Sequence, residues 1–253
     1  QSSGRTPAES AIASFVSIIG IVLIYITLQL YGSAVASGVA EEKGSRIMEL
    51  LINAATPFQL LMGKIIGIGL AGFTQIGLLG LVGAAAFLAQ NPIKNALLGG
   101  NSSGPTLDFT NVSLDILGLV VIYFVLGFFL YATLYAAAGT LVSRQEEVGT
   151  SVAPLNFLII AGYLAGFYTA FSPNATWVKV LSYIPFFTPM VMLGREGAAP
   201  LGWWEILLSC MIMVASILIC AWIAARIYRV GVLMYGQKPG FGPYLKQLRG
   251  RGK

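Results

Sequence analysis

The chain has 253 residues, a mean hydropathy of +0.80 and only 10% charged side chains. These values place it among polytopic membrane proteins and exclude a charge-covered soluble domain. Its net charge is +5 and it contains no histidine, which removes any imidazole base, His metal ligand or His haem ligand. The basic residues are not clustered as a nucleic-acid footprint would be, so no nucleic acid is expected as a partner. Cys210 and Cys220 share one apolar run, ten residues apart. Side chains so placed on a straight helix cannot meet, so no disulfide framework is implied.

In chain order, Gln1 to Glu9 is polar and unlike a signal peptide. No charge then occurs from Ser10 to Ala40. The apolar part, about 11–31, is long enough to cross a hydrocarbon core of roughly 30 Å. The first concentrated charge follows: Glu41-Glu42-Lys43-Gly44-Ser45-Arg46-Ile47-Met48-Glu49-Leu50-Leu51. In helical register Glu42 and Arg46 are i,i+4 and Arg46 and Glu49 are i,i+3, along one polar face. Ile47, Leu50, Leu51 and Ala54 recur on another face. The stretch from about 34 to 60 therefore reads as an amphipathic helix at a membrane surface, with Pro57 expected to end it.

Lys64 and Lys94 bracket the second charge-free run, with a span over about 63–89. Its glycines, among them Gly67, Gly69, Gly72 and Gly77, suit close helix packing or local flexibility. Gln75 lies near its middle, and a buried amide there needs a partner. It serves either as hydrogen-bond glue or as pathway lining. Asn91 to Asn111 is polar and glycine-rich and reads as a loop. The third span covers about 115–141, with Ala132, Ala136 and Gly139 on a small-residue face. Ser143 to Glu147 is a polar turn.

The fourth span, about 152–171, has Pro154 in its expected first turn and Asn156 just after. Gly162 and Gly166 form a G-x-x-x-G match. Residues 172–204 are strongly apolar but broken by Pro173, Pro185, Pro189 and Pro200. They read as a helical hairpin that either dips into the outer leaflet or lies on it. Trp203 and Trp204 mark the interface. The fifth span covers about 206–228, and a basic tail follows.

Seven of the 15 Lys and Arg come after Glu205, so the C-terminus is expected inside and the N-terminus outside. On that topology eleven basic residues lie inside and four outside. Lys179 and Arg195 would both be reachable from outside.

The string E-E-K-x-S-R-x-M-E-x-L-L, then Pro57 and Leu60-Leu61-Met62-Gly63-Lys64, resembles the cytoplasmic segment of ABC-2 type permeases, in particular the sodium-extrusion (NatB-like) group. The resemblance implies an all-α integral membrane protein of about five transmembrane helices. It adds a cytoplasmic coupling helix and an extracellular-side re-entrant hairpin. The coupling interface would comprise Glu41, Glu42, Lys43, Ser45, Arg46 and Glu49, docked on an ABC ATPase subunit that holds ATP and Mg. A second permease copy, location in the plasma (inner) membrane and export of sodium, a drug or a lipid are implied with it. An upstream span and an extracellular domain, usual in that group, are expected to be missing here.

The residues themselves carry no Walker A match: Phe58 stands where the glycine before Gly63-Lys64 belongs. The chain is therefore read as a permease and not an enzyme, with Gln75 and Asn156 as candidate pathway or interhelical polar groups. The other reading is a channel or secondary transporter that is not driven by ATP. Its usual mark, an ionisable side chain within a span, does not occur in the five apolar cores.

Overall fold

The computed structural model describes residues 6–45, 56–98, 114–169 and 171–233. Among them are seven α-helices, one short 3-10 turn and no strand. We number the helices α1 (Pro7–Gly44), α2 (Pro57–Leu98), α3 (Leu114–Thr140), α4 (Val148–Tyr168), α5 (Thr176–Leu181), α6 (Thr188–Ala198) and α7 (Trp203–Leu233), with the 3-10 turn at Gln145–Glu147. Five of them, α1, α2, α3, α4 with the turn before it, and α7, are long and apolar enough to cross a membrane.

α1 starts at a capping box. Thr6 N donates to Glu9 Oε2 (2.7 Å), and Glu9 N donates to Thr6 Oγ1 (3.3 Å). Both serve donors left over at a helix start, and Pro7 at the first position has no N–H to leave over. At 1.5 Å per residue its 38 residues span about 57 Å. That is nearly twice the hydrocarbon thickness, so the helix continues well past the bilayer. The boundary expected near Ala34 is not there: nothing in that stretch breaks a helix, and α1 runs through to Gly44.

α2 opens on the same device. Gln59 N donates to Thr56 Oγ1 (3.3 Å) and Thr56 N donates to Gln59 Oε1 (2.9 Å). Pro57 is thus the first residue of a helix, and its effect on the preceding residue is only half of its role. The fourth helix starts earlier than expected, at Val148, which puts Pro154 inside it.

α1 and α3 form the centre. Ile21, Ile24, Leu28, Val35, Ala36 and Val39 are buried with Phe124, Phe128, Tyr131 and Tyr135. The small face of α3 permits the approach: a Cβ on Gly139 would lie 2.5 Å from the Ala36 carbonyl oxygen. The glycines of α2 divide. A Cβ on Gly69 would strike the Phe128 ring at 2.6 Å, whereas Gly63, Gly67, Gly77, Gly80 and Gly83 have open space beside them. α2 and α7 stand at the periphery, with Leu70, Leu81, Val82, Met211 and Leu218 all exposed. Such surfaces suit hydrocarbon and not water.

The proline-broken segment holds two unlike helices. α5 exposes Trp177 and Val180. α6 is buried from Thr188 to Gly197, packed among α1, α3 and α4. Its 11 residues reach about 16 Å, too short to cross a bilayer. The G-x-x-x-G of α4 forms part of its seat: a Cβ on Gly166 would lie 2.8 Å from the Met190 carbonyl oxygen, and Gly162 faces Phe187 and Met190.

Candidate functional site

The charged end of α1 is held by three neighbours. Glu42 Oε1 forms an ion pair with Lys64 Nζ of α2 at 2.6 Å. Lys43 is buried, and its Nζ donates to the Thr140 carbonyl oxygen at the end of α3 (2.7 Å). That carbonyl is one of the last of its helix, where a cation is favoured. Gly44 sits against the Ser143 carbonyl, at a distance where a Cβ would lie 2.8 Å from the oxygen. Ser45 caps the helix, its Oγ donating to the carbonyl oxygens of Glu41 (2.9 Å) and Glu42 (3.3 Å).

Glu41 is exposed, as are Arg144 and, in the 3-10 turn that follows it and touches α1, Glu146. Of the six side chains expected to form the coupling face, Glu41, Glu42, Lys43 and Ser45 are therefore seen at one place. Arg46 and Glu49 lie outside the described residues. Lys43 faces inward, and it braces α1 against α3 instead of joining an outward polar face. Lys64 and Thr140 complete the arrangement. Neither stands out in the sequence, because a single lysine flanking a span and a threonine at a helix end are ordinary.

A second polar group lies nearer the middle of the spans, where Gln75 is exposed and Asn156 half-buried. Tyr31 of α1 donates its hydroxyl proton to Gln75 Oε1 of α2, and Tyr135 of α3 does the same to Asn156 Oδ1 of α4. Both expected amides thus take a tyrosine hydroxyl from a neighbouring span. Tyr25 stacks on Tyr163 with ring centroids 4.8 Å apart. Gln29, between Tyr25 and Tyr31 in the chain, escaped the sequence reading. It shares a face of α1 with Tyr25 and Gly32, at i, i+4 and i+7, and Gly32 lies against the Tyr135 ring. Its Oε1 is buried with no hydrogen-bond partner. A buried acceptor in that state costs free energy until a donor reaches it. Gln29 is an amide in a charge-free run, as Gln75 is, and that shared feature was the only available signal.

At the far end of α1 the hairpin is fastened by side chains. Arg195, only 5% exposed, pairs with Glu205 Oε2 at 2.6 Å and donates to Ser182 Oγ at 2.8 Å. Glu196 Oε2 accepts from Leu201 N (2.7 Å), and Ser14 Oγ donates to the Gly197 carbonyl (3.0 Å). Arg195 is thus enclosed, where the sequence placed it within reach of solvent. Lys179 is exposed.

Five long apolar helices, with charges gathered past the end of one of them, define a multi-pass helical membrane protein. Residues 2–226 match the family described as ABC-2 family transporter protein, and the chain belongs to that family. It is similar to uncharacterized protein YhaP of Bacillus subtilis (strain 168), at 38% identity over 96% of this chain and 57% of the relative. It is also similar to uncharacterized protein MJ1024 of Methanocaldococcus jannaschii, at 29% identity over 90% of this chain and 52% of that protein. The chain thus spans a little over half the length of these relatives. No solved structure matches it.

Proposed function

We propose that this chain is the membrane-spanning permease part of an ATP-driven exporter. A separate ABC ATPase subunit holds ATP and Mg, and a second permease copy completes the transport unit. The observation that carries this reading, beyond family membership, is the unbroken course of α1 from the bundle core to Glu41–Ser45. A continuous helix transmits a push along its axis, and Lys43 and Glu42 tie its end to α3 and α2 so that the push reaches three spans. Residues 46–55 follow at once and would supply the rest of the docking face. The eleven-to-four distribution of basic residues supports placing this end in the cytoplasm. α6, short and surrounded by spans, then enters from the outer side without crossing.

The NatB-like resemblance points to sodium as cargo. The groups within the spans that could meet a solute are uncharged: Gln29, Gln75, Asn156 and the tyrosines. They would suit a drug or lipid equally, so the cargo is to be found with a panel.

The test is Arg46→Glu. A docked face turns this reversal into a buried repulsion in the interface, which costs several kcal/mol of binding, about 2–5. We expect normal membrane insertion with loss of ATPase co-purification and of substrate-stimulated hydrolysis. Wild-type association and transport would overturn the reading. Topology is tested by cysteines at Ser103 and Gln237, which should label from opposite sides of the membrane.

A further inference from the structure

α1 packs on α4 and also touches the 3-10 turn from which α4 starts, so the two helices run antiparallel. Tyr25 lies beside Tyr163, and Gly32 lies beside the Tyr135 ring whose hydroxyl reaches Asn156. In that register Gln29 comes opposite Ile159 and Ile160, whose side chains have no donor to give it. This accounts for its buried, unpartnered Oε1. Gln29 as a whole is half-buried. Its terminal amide turns about one soft torsion, so the oxygen can meet a molecule that arrives from the side.

Aromatic rings continue from this place. From Tyr25 and Tyr163 the series passes to Phe167, Phe171, Tyr168 and Trp177, with neighbouring centroids between 4.8 and 6.4 Å apart. The last four rings are exposed, and the series ends on α5 of the hairpin. There is no charged residue from Ser10 to Ala40 or anywhere in α4. Ring faces and an amide oxygen both present negative partial charge, which favours a cation. The oxygen also asks for an N–H. An anion finds no partner on these groups. A bare metal ion takes several oxygens at once, and at this place Gln29 supplies one.

We propose that Gln29, Tyr25, Tyr163 and Phe167 bind a lipophilic aromatic cation that carries an N–H, with the N–H on Gln29 Oε1 and the flat body against the rings. As a statement about cargo, this rests on the permease reading above and names its solute class.

The experiment uses the whole protein in lipid nanodiscs, with empty nanodiscs as the blank, and reads dye binding by fluorescence anisotropy. One dye is rhodamine 6G, a flat cation with N–H donors. The other is tetramethylrhodamine ethyl ester, a cation of the same shape whose nitrogens are fully alkylated. Rhodamine 6G should bind roughly five- to tenfold more tightly, as one added hydrogen bond allows. Gln29→Leu should erase that preference and leave the second dye's affinity unchanged. Its melting temperature should equal or exceed the parent's, because an unpartnered buried acceptor is removed. Tyr163→Leu should weaken both dyes roughly three- to tenfold, and Leu218→Ala on peripheral α7 should change neither. Absence of binding would overturn the proposal. So would a parent that does not distinguish the dyes, or a Gln29→Leu variant that still does, either of which would leave water as the partner of Gln29. None of these measurements involves the ATPase. Dye binding as expected with no ATPase co-purification would sink the permease reading and keep the site, and the reverse pair of results would sink the site alone.

Discussion

Two ion pairs of the same 2.6 Å length stand some 40 Å apart along α1 and do different work. Glu42–Lys64 lies at the charged end, with side chains 29% and 13% exposed. Arg195–Glu205 lies at the hairpin end, where the arginine side chain is 6% exposed and the helix that bears it is enclosed by α1, α3 and α4. Glu42 keeps part of its surface in contact with solvent, and Lys64 is also tied to a helix end that can relax, so screening lowers the net worth of the first pair. The second encloses a charge that cannot be left unmatched. The contrast predicts that damage at the hairpin end costs more stability than damage at the charged end.

The largest effect should come from Gly194→Ala. A Cβ there would lie 1.8 Å from Thr169 Oγ1 and 2.4 Å from the Gly166 carbonyl oxygen, so α6 would have to leave its seat. We expect a loss of about 3 kcal/mol, read as a lower melting temperature in detergent. Gly67→Ala, with open space around it, should be neutral or gain up to about 1 kcal/mol from helix propensity. If the two changes had equal effects, α6 would not be held as described.

Glu205→Leu comes next. It strands Arg195 with Ser182 and Met192 as its remaining partners. Because Glu205 is partly exposed, the cost should be about 2–3 kcal/mol, below the full penalty for a buried pair. Adding Arg195→Met should recover most of that loss, since the unpaired charge goes with it. A double variant as unstable as the single one would mean that α6 needs the pair itself and not merely neutrality. Lys43→Met is smaller again. It removes one charge-assisted bond to the Thr140 carbonyl and keeps the buried stem, for about 1–2 kcal/mol.

The same contrast separates what a reader of the sequence can and cannot see. The five spans were legible because each is a long run without charge, and lipid demands that of any crossing helix. Gly162 and Gly166 were legible as a packing face, though not what packs on it. Pro173, Pro185, Pro189 and Pro200 announced a broken segment. Its depth was hidden, because Arg195 and Glu196 are charged and read locally as surface. Only the neighbouring helices, distant in sequence, supply the partners that let them be buried. The end of α1 was misplaced for the opposite reason. Hydropathy changes near Ala34, but a helix ends where its backbone hydrogen bonds end, and no residue before Gly44 breaks them. Gln29 could not be told from Gln75, since both are amides in apolar runs and only the tertiary contacts leave one without a donor.

The smallest effect on stability should come from the pair at the charged end, and it discriminates most. Glu42→Gln removes the ion pair with Lys64 and leaves the helix intact. For a partly exposed pair this is worth at most about 1 kcal/mol, and α1 remains tied to α3 through Lys43. If the end of α1 only rests in water, the variant should match the parent in melting temperature, in ATPase co-purification and in transport. If it carries a stroke into the bundle, the loosened tie between α1 and α2 should lower transport per ATP hydrolysed at unchanged stability. Exchanging the two charges, Glu42→Lys with Lys64→Glu, rebuilds the tie in reverse. Recovery of coupling by the exchange would assign the pair to the link between α1 and α2. An exchange that leaves coupling lost, with Lys64→Glu alone behaving like the parent, would instead assign Glu42 to the surface that the ATPase meets.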